Sequence, residues 1–275
     1  MSDVLRAWGE SAPYWEKHRE AIEAMFAPMS RALISGAAIA EGHVVLDVAA
    51  GTGDLSLEIA TACGPHGRVV CTDAVRGMVE SASRRRHGND RPNIEFIQCL
   101  GEALPFRKGS FDAVVSRLGV MFFPDPPAAL KDMLRLLRPQ GRLSLAVWYG
   151  SHLNPFFAVP SQALVRYVPI PAPDPDAPGA FRFAEPGKLA RLLELAGAKE
   201  VQERLFEFRI EAPVSLREFW TMRREMSETL RERVRHLSPT EMAAVEIGMQ
   251  DAARGFFPND RMSFPAQSLI VTGVK

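Results

Sequence analysis

Val44-Val-Leu-Asp-Val-Ala-Ala-Gly-Thr-Gly-Asp-Leu55 holds three structural signals in twelve residues. The apolar run His43–Ala49 predicts a short strand. Gly51 and Gly53 predict a turn that uses positive φ and leaves backbone bare of Cβ atoms. Asp54–Ala62 then predicts a helix, stopped by Gly64-Pro65. Strand, glycine turn and helix in this order form the first unit of an open α/β sheet, whose ligands bind beyond the carboxyl ends of the strands.

Outward from this stretch the rhythm repeats. Arg68–Thr72, Asn93–Gln98, Phe111–Ser116 and Arg142–Trp148 predict further strands. Gly77–Arg86 and Pro127–Leu137 predict helices, the second with Asp125 as its cap and proline in its first turn. Pro139-Gln-Gly141 predicts a turn. The strands read as near-continuous apolar runs, as strands covered on both faces must. After Trp148 come predicted helices at 155–168 and 187–196, strands at 201–210 and 266–274, and Arg-, Glu- and Met-rich helical spacing over 214–254. Five prolines within 169–179 predict a mobile loop. The expected fold class is α/β: a Rossmann-like, mostly parallel seven-stranded sheet with helices on both faces, plus N-terminal helices and a helical cap insertion. The expected domains are an N-terminal helical lid at 1–41, a core at 42–149, and a segment at 150–275 that completes the sheet and carries insertions at about 150–182 and 214–262.

Twenty residues past Gly53, Asp73 ends the second strand, where a carboxylate can accept both hydroxyls of a ribose. That placement is common to NAD and S-adenosylmethionine proteins. Two details lean away from a dinucleotide. Ser56 stands where a third glycine is wanted, and Asp54 opens the helix where it would repel a diphosphate. Asp47 and Asp54 suit a ligand carrying a sulfonium and an ammonium. Asp47 reads equally well as a turn acid that satisfies loop N–H groups.

Bulk properties narrow the classes further. The chain has 275 residues, with 33 Lys+Arg against 33 Asp+Glu, so no electrostatic bias toward nucleic acid exists. The basic run Arg84–His87 reads as a solvated helix end. Cys63, Cys71 and Cys99 lack metal or disulfide spacing, which suits reduced thiols and a cytoplasmic location. No signal peptide or transmembrane stretch is expected, and the six histidines show no metal-ligand pattern. His18 and His152 are the two that a substrate could meet, though each reads first as a surface residue.

The stretch from Val45 to Leu55 resembles the first motif of class I S-adenosylmethionine-dependent methyltransferases, and is most similar to the ubiquinone/menaquinone C-methyltransferase-like (type 11) group. Glu102-Ala-Leu-Pro-Phe106 followed by Ser110–Ser116, and Leu137-Arg-Pro-Gln-Gly141-Arg-Leu, resemble that group's later motifs. The resemblance covers residues 42–148. It implies that Gly51, Thr52 and Gly53 line the methionine and ribose of S-adenosylmethionine, with Asp47 beside them, and that Asp73 holds the ribose hydroxyls. Met78 would pack on adenine, Leu100 and Gly101 would border its edge, and Ser116 and Arg117 would turn backbone carbonyls toward the methionyl ammonium. The sequence departs from the group's pattern in having alanine at 49 and 50, where a glycine is usual, and Leu100, where Asp or Asn is frequent. Pro13-Tyr14-Trp15 resembles the lid helices of small-molecule members.

The expected function is methyl transfer by direct in-line displacement to a small, apolar or aromatic acceptor, with S-adenosylmethionine as cofactor, no metal and no catalytic dyad. Phe156, Phe157, Phe181, Phe183, Phe219 and Trp220 are the expected pocket lining. Two other classes compete. An NAD(P)-dependent oxidoreductase of the short-chain kind needs a Tyr with Lys four residues on, but Tyr14, Tyr149 and Tyr167 are followed there by His18, Leu153 and Pro171. A non-catalytic S-adenosylmethionine-binding module would keep the cradle without turnover.

Overall fold

The structure, a computed structural model, describes residues 3–89, 93–169 and 174–275, without the side chains of 86–89. Two helices, α1 (Asp3–Lys17) and α2 (Arg19–Gly36), precede the sheet. Then β1 (Val44–Val48), α3 (Asp54–Cys63), β2 (Arg68–Asp73), α4 (Arg76–Asn89), β3 (Ile94–Gln98), β4 (Phe111–Arg117), α5 (Pro126–Leu136) and β5 (Leu137–Trp148) alternate. The remainder is α6 (Pro155–Leu164), α7 (Lys188–Leu195), β6 (Lys199–Ala212), α8 (Leu216–Met226), α9 (Glu228–Val234), α10 (Pro239–Ala253) and β7 (Met262–Val274).

The seven strands lie in the order β3-β2-β1-β4-β5-β7-β6. β3, β2, β1, β4 and β5 are parallel, and β7 enters antiparallel between β5 and β6. Val45, Leu46, Val69, Val70, Ala113–Val115 and Leu143–Val147 are almost wholly buried, as strands with covered faces require. The strand order reverses between β1 and β4, so the carboxyl ends of these two strands define the ligand crevice of the fold.

Three local expectations change. β7 begins at Met262 rather than 266. Its pairing with β5 starts only at Ser268, so Pro265, which has no N–H to donate, sits where that side of the strand is an edge. The turn at 139–141 lies inside β5, where the register against β4 jumps from Phe111–Leu137 to Ala113–Arg142 and Gln140 takes φ 66°. The basic run is not simply solvated: Arg84 pairs with Glu16 at 2.6 Å, and Arg85 pairs with Glu23, tying α4 to α1 and α2. The Arg86 and His87 side chains, and residues 170–173 of the proline-rich segment, lie outside the described residues. Asp125 caps α5 by accepting the Ala128 N–H at 3.0 Å, and the Met and Phe positions of 219–257 include the buried Phe219, Met222, Met226, Met249 and Phe257.

The helical insertion α8–α10 folds back on α6, and α1 packs against both α4 and the α8–α9 pair. Trp15 donates its indole N–H to the Met226 carbonyl at 3.4 Å, and Arg231 donates to the Ser11 hydroxyl at 2.9 Å. Among the described residues no helix is long and apolar enough to cross a membrane, and no group of metal-ligating side chains comes together.

Candidate functional site

The turn after β1 is backbone-lined because its conformation excludes most side chains. Gly51 has φ 58° and Gly53 φ 79°, both in the left-handed region. The two differ in what lies beside them. A Cβ on Gly51 would meet nothing within 4 Å, so this is bare backbone facing free space. A Cβ on Gly53 would stand 2.8 Å from the Ala82 Cβ, so there the missing side chain admits α4 rather than a ligand. Ala49, where the resembled motif has glycine, takes φ 58° with its Cβ in place.

Asp73 is turned toward this loop. Its Oδ2 accepts the Gly51 N–H at 2.9 Å, and its Oδ1 accepts the Val75 N–H at 2.9 Å. Burial raises its pKa, and the N–H groups of Val75, Gly51 and Ala74 pull the other way. The Ala50 N–H donates to the Thr72 carbonyl at 2.9 Å, and the Cys99 N–H to the Asp73 carbonyl at 3.0 Å, so the tips of β1, β2 and β3 are laced together.

Asp47 is fully buried at the end of β1. Its Oδ2 accepts the Ser56 hydroxyl at 2.7 Å rather than a loop N–H, so the turn-acid reading fails: Ser56, one turn into α3, reaches it first. Ser56 thus has a structural reason to replace a third glycine. Burial pushes the Asp47 carboxyl up to about 7, opposed by the Ser56 hydrogen bond and the Arg117 charge. Asp47 Oδ1, Thr52 Oγ1 and Ser116 Oγ are buried without a hydrogen-bond partner, three polar atoms grouped at the tips of β1 and β4. Such atoms are costly to leave unmet, and their concentration here marks a place for a polar ligand or water.

Arg117 has a role the sequence did not disclose. Its guanidinium lies 2.6 Å from the Asp54 carboxylate, donates to Ser30 at 2.7 Å and sits 5.3 Å over the Phe26 ring. Asp54 therefore neither caps α3 nor presents a free charge to a ligand, because Arg117 neutralises it. Nothing near Arg117 in sequence points to Asp54, 63 positions earlier.

Met78 is buried at the start of α4, below the point where Ala12 of α1 comes within 3.2 Å of a Cβ built on Gly77. Leu100 is exposed, and the bare side of Gly101 is pressed against the Phe123 ring, 2.7 Å from where its Cβ would be. Of the aromatic residues expected to line a pocket, Phe156, Phe183, Phe219 and Trp220 are instead packed core. Phe156 meets Phe264 edge-on at 5.8 Å and Phe219 meets it tilted at 5.0 Å, fastening the insertions to β7. Phe157 and Phe181 remain half-buried, their rings 5.2 Å apart. His18 bonds Glu225 at 2.6 Å where α2 begins, and His152 is exposed.

Comparison with known proteins agrees with this geometry. A family described as "Methyltransferase domain" matches residues 45–141. The demethylmenaquinone methyltransferase of Lactococcus lactis is 39% identical over 102 residues, 37% of this chain and 40% of that protein. The ubiquinone/menaquinone biosynthesis C-methyltransferase UbiE of Hahella chejuensis is 39% identical over 127 residues, 46% of this chain and 50% of that protein. The chain thus spans about half the length of these relatives or less. Among solved structures, the YcgJ protein of Bacillus subtilis superposes with a TM-score of 0.57 at 20% identity, covering 90% of this chain and 97% of that one. A SAM-dependent methyltransferase from Aquifex aeolicus superposes with a TM-score of 0.53 at 19% identity, covering 70% and 90%.

Proposed function

We infer that residues 45–141, which match a family described as "Methyltransferase domain", form an S-adenosylmethionine-dependent methyltransferase domain of class I, and that the chain as a whole is an enzyme that methylates a small apolar or aromatic molecule. The observation that carries this reading is the open backbone at Gly51, joined to Asp73 at 2.9 Å, beside the unmet buried atoms of Asp47, Thr52 and Ser116. These groups fit an adenosyl ligand. Asp73 has lone pairs left for ribose hydroxyls after accepting two loop N–H groups. Asp47 Oδ1 and the strand-end carbonyls of Ser116 and Arg117 supply the negative side that a sulfonium and an ammonium call for. The exposed Leu100 gives apolar surface to a purine, whereas Met78, 2% exposed, offers it none and the bare side of Gly101 is taken up by Phe123.

When bound, S-adenosylmethionine supplies a methyl group on an already activated sulfonium, open to in-line displacement by an acceptor nucleophile. The protein's own task is then to hold both molecules in line and keep water out. The lacing of β1, β2 and β3 fixes the cradle, and α1, held between α4 and α8–α9, covers that side of the crevice. No paired acid and base is required of the chain unless the acceptor must lose a proton. The names of the matched relatives favour a quinol-type ring as the acceptor, and the half-buried faces of Phe157 and Phe181 suit one.

Calorimetry with S-adenosylhomocysteine and with NADH tests the cofactor. Micromolar binding of the first and none of the second is expected, and the reverse would remove the proposal. A panel of quinols, phenols, amines and thiols with labelled S-adenosylmethionine tests turnover. Cofactor binding without transfer to any of them would leave a non-catalytic module.

A further inference from the structure

Arg223, on α8, is only 7% exposed, yet the described residues offer it no carboxylate. Its Nε has no hydrogen-bond partner, and its guanidinium lies 4.2 Å over the Phe156 ring and 5.0 Å from that of Phe157. The acids that could have served it are engaged elsewhere. Glu218 closes the capping box with Ser215, Glu225 binds Lys17 and His18, and Glu246 accepts the Trp220 indole N–H. Burial alone lowers the Arg223 pKa, to about 9, with no opposite charge to restore it. The side chain is therefore still a cation at neutral pH. Two aromatic faces offset part of its lost hydration, but a guanidinium has five N–H donors in a planar fork, and rings do not satisfy them.

The position of Arg223 tells what the missing partner belongs to. Phe157 meets Trp148, the last residue of β5, at 5.0 Å, and Trp148 meets Phe26 at 6.0 Å. Phe26 in turn lies under Arg117 at the tip of β4. A chain of ring contacts thus links Arg223 to the tip of β4; Trp148 and Phe26 in it are buried, and Phe157 keeps part of its surface open.

We infer that Arg223 recognises an anionic group on the acceptor, and that the acceptor is an apolar or aromatic molecule bearing a carboxylate. This rests on the methyltransferase reading and narrows its substrate class. The planar fork pairs bidentately with a carboxylate, while the half-buried Phe157 and Phe181 take the apolar body. A neutral analogue of the same shape leaves the guanidinium unmet, which is how a buried polar group discriminates.

The test is calorimetry on the full chain saturated with S-adenosylhomocysteine, titrated with 2-naphthoate and 2-naphthamide and with benzoate and benzamide. The carboxylates are expected to bind at least tenfold more tightly than their amides. Arg223→Met should erase that ratio without changing the affinity for S-adenosylhomocysteine, and Arg223→Lys should keep only part of it. Equal affinity of acid and amide, no binding of either, or a ratio that survives Arg223→Met would each overturn the inference while leaving the methyltransferase reading intact. Failure of the wild-type chain to bind S-adenosylhomocysteine would instead remove that reading, and this inference with it. Should Arg223→Met not fold, the wild-type ratio and the Arg223→Lys variant decide the matter.

Discussion

Removing the Arg117 guanidinium tests how the crevice between β1 and β4 is held open. The Arg117 and Asp54 side chains are 8% and 2% exposed and 2.6 Å apart. In Arg117→Met the apolar volume is largely kept, the Asp54 carboxylate is left buried without a counter-charge, and the Ser30 hydroxyl loses a donor. Breaking a buried pair in this way costs about 3–5 kcal/mol, because the uncompensated charge stays behind. For a chain of this size that corresponds to roughly 6–20 °C in Tm. Adding Asp54→Asn removes the stranded charge. The double variant is therefore expected to recover about 2 kcal/mol or more relative to Arg117→Met, a coupling typical of residues in direct contact. Thermal unfolding of wild type, both single variants and the double variant gives the cycle, and Arg117→Lys serves as the variant that keeps the charge should Arg117→Met not fold. A single variant within about 1 kcal/mol of wild type, or a double variant whose loss equals the sum of the singles, would refute the claim that Arg117 neutralises Asp54.

Three further outcomes are expected. Asp73→Ala should weaken S-adenosylhomocysteine binding by about 1–3 kcal/mol by calorimetry, and an unchanged Kd would contradict the ribose assignment. Gly51→Ala should cost only about 1–2 kcal/mol of stability from its positive φ yet depress cofactor binding. Gly53→Ala, which also drives a Cβ against Ala82, should cost about 2–4 kcal/mol in urea unfolding; equal losses in the two would undo the distinction drawn between them. Asp47 is held at about 7 against an ordinary 3.8. A carboxyl whose folded pKa is raised contributes stability present in full below about pH 4 and lost as pH rises through 7. That loss amounts to about 4 kcal/mol. Asp47→Asn should flatten the stability profile of the unliganded chain between pH 4 and 8 and raise it at pH 8; a profile unchanged by the substitution would exclude Asp47 as its source.

The parallel half of the fold was legible because its signals are local. Val44–Val48 is apolar without interruption, Gly51 and Gly53 fall directly after it, and Asp73 ends the next apolar run. Each of these constrains the backbone within a few residues, so the cradle follows from short-range chemistry. The β7 start was misplaced for the opposite reason. Pro265 is tolerated within β7 because one side of the strand is an edge at that point, and that depends on the register with β5, which no local pattern carries.

The acceptor side was less legible because the same residue types serve two purposes. A phenylalanine buried as core and one lining a pocket look alike in a sequence, and Phe156 and Phe157 are adjacent yet only the second keeps an open face. Arginines on a helix are ordinarily surface residues, and Arg223 differs from Arg224 beside it only in which way α8 turns it. What separates them is a contact across 67 positions to Phe156, made by the fold and by no local pattern. The division follows from the physics of the two halves. A cofactor gripped by backbone groups leaves its mark in glycines and strand ends. The acceptor site proposed at α6 and α8 is marked instead by Arg223, a charge that is 7% exposed and whose Nε is unpaired, and no local sequence pattern announces it.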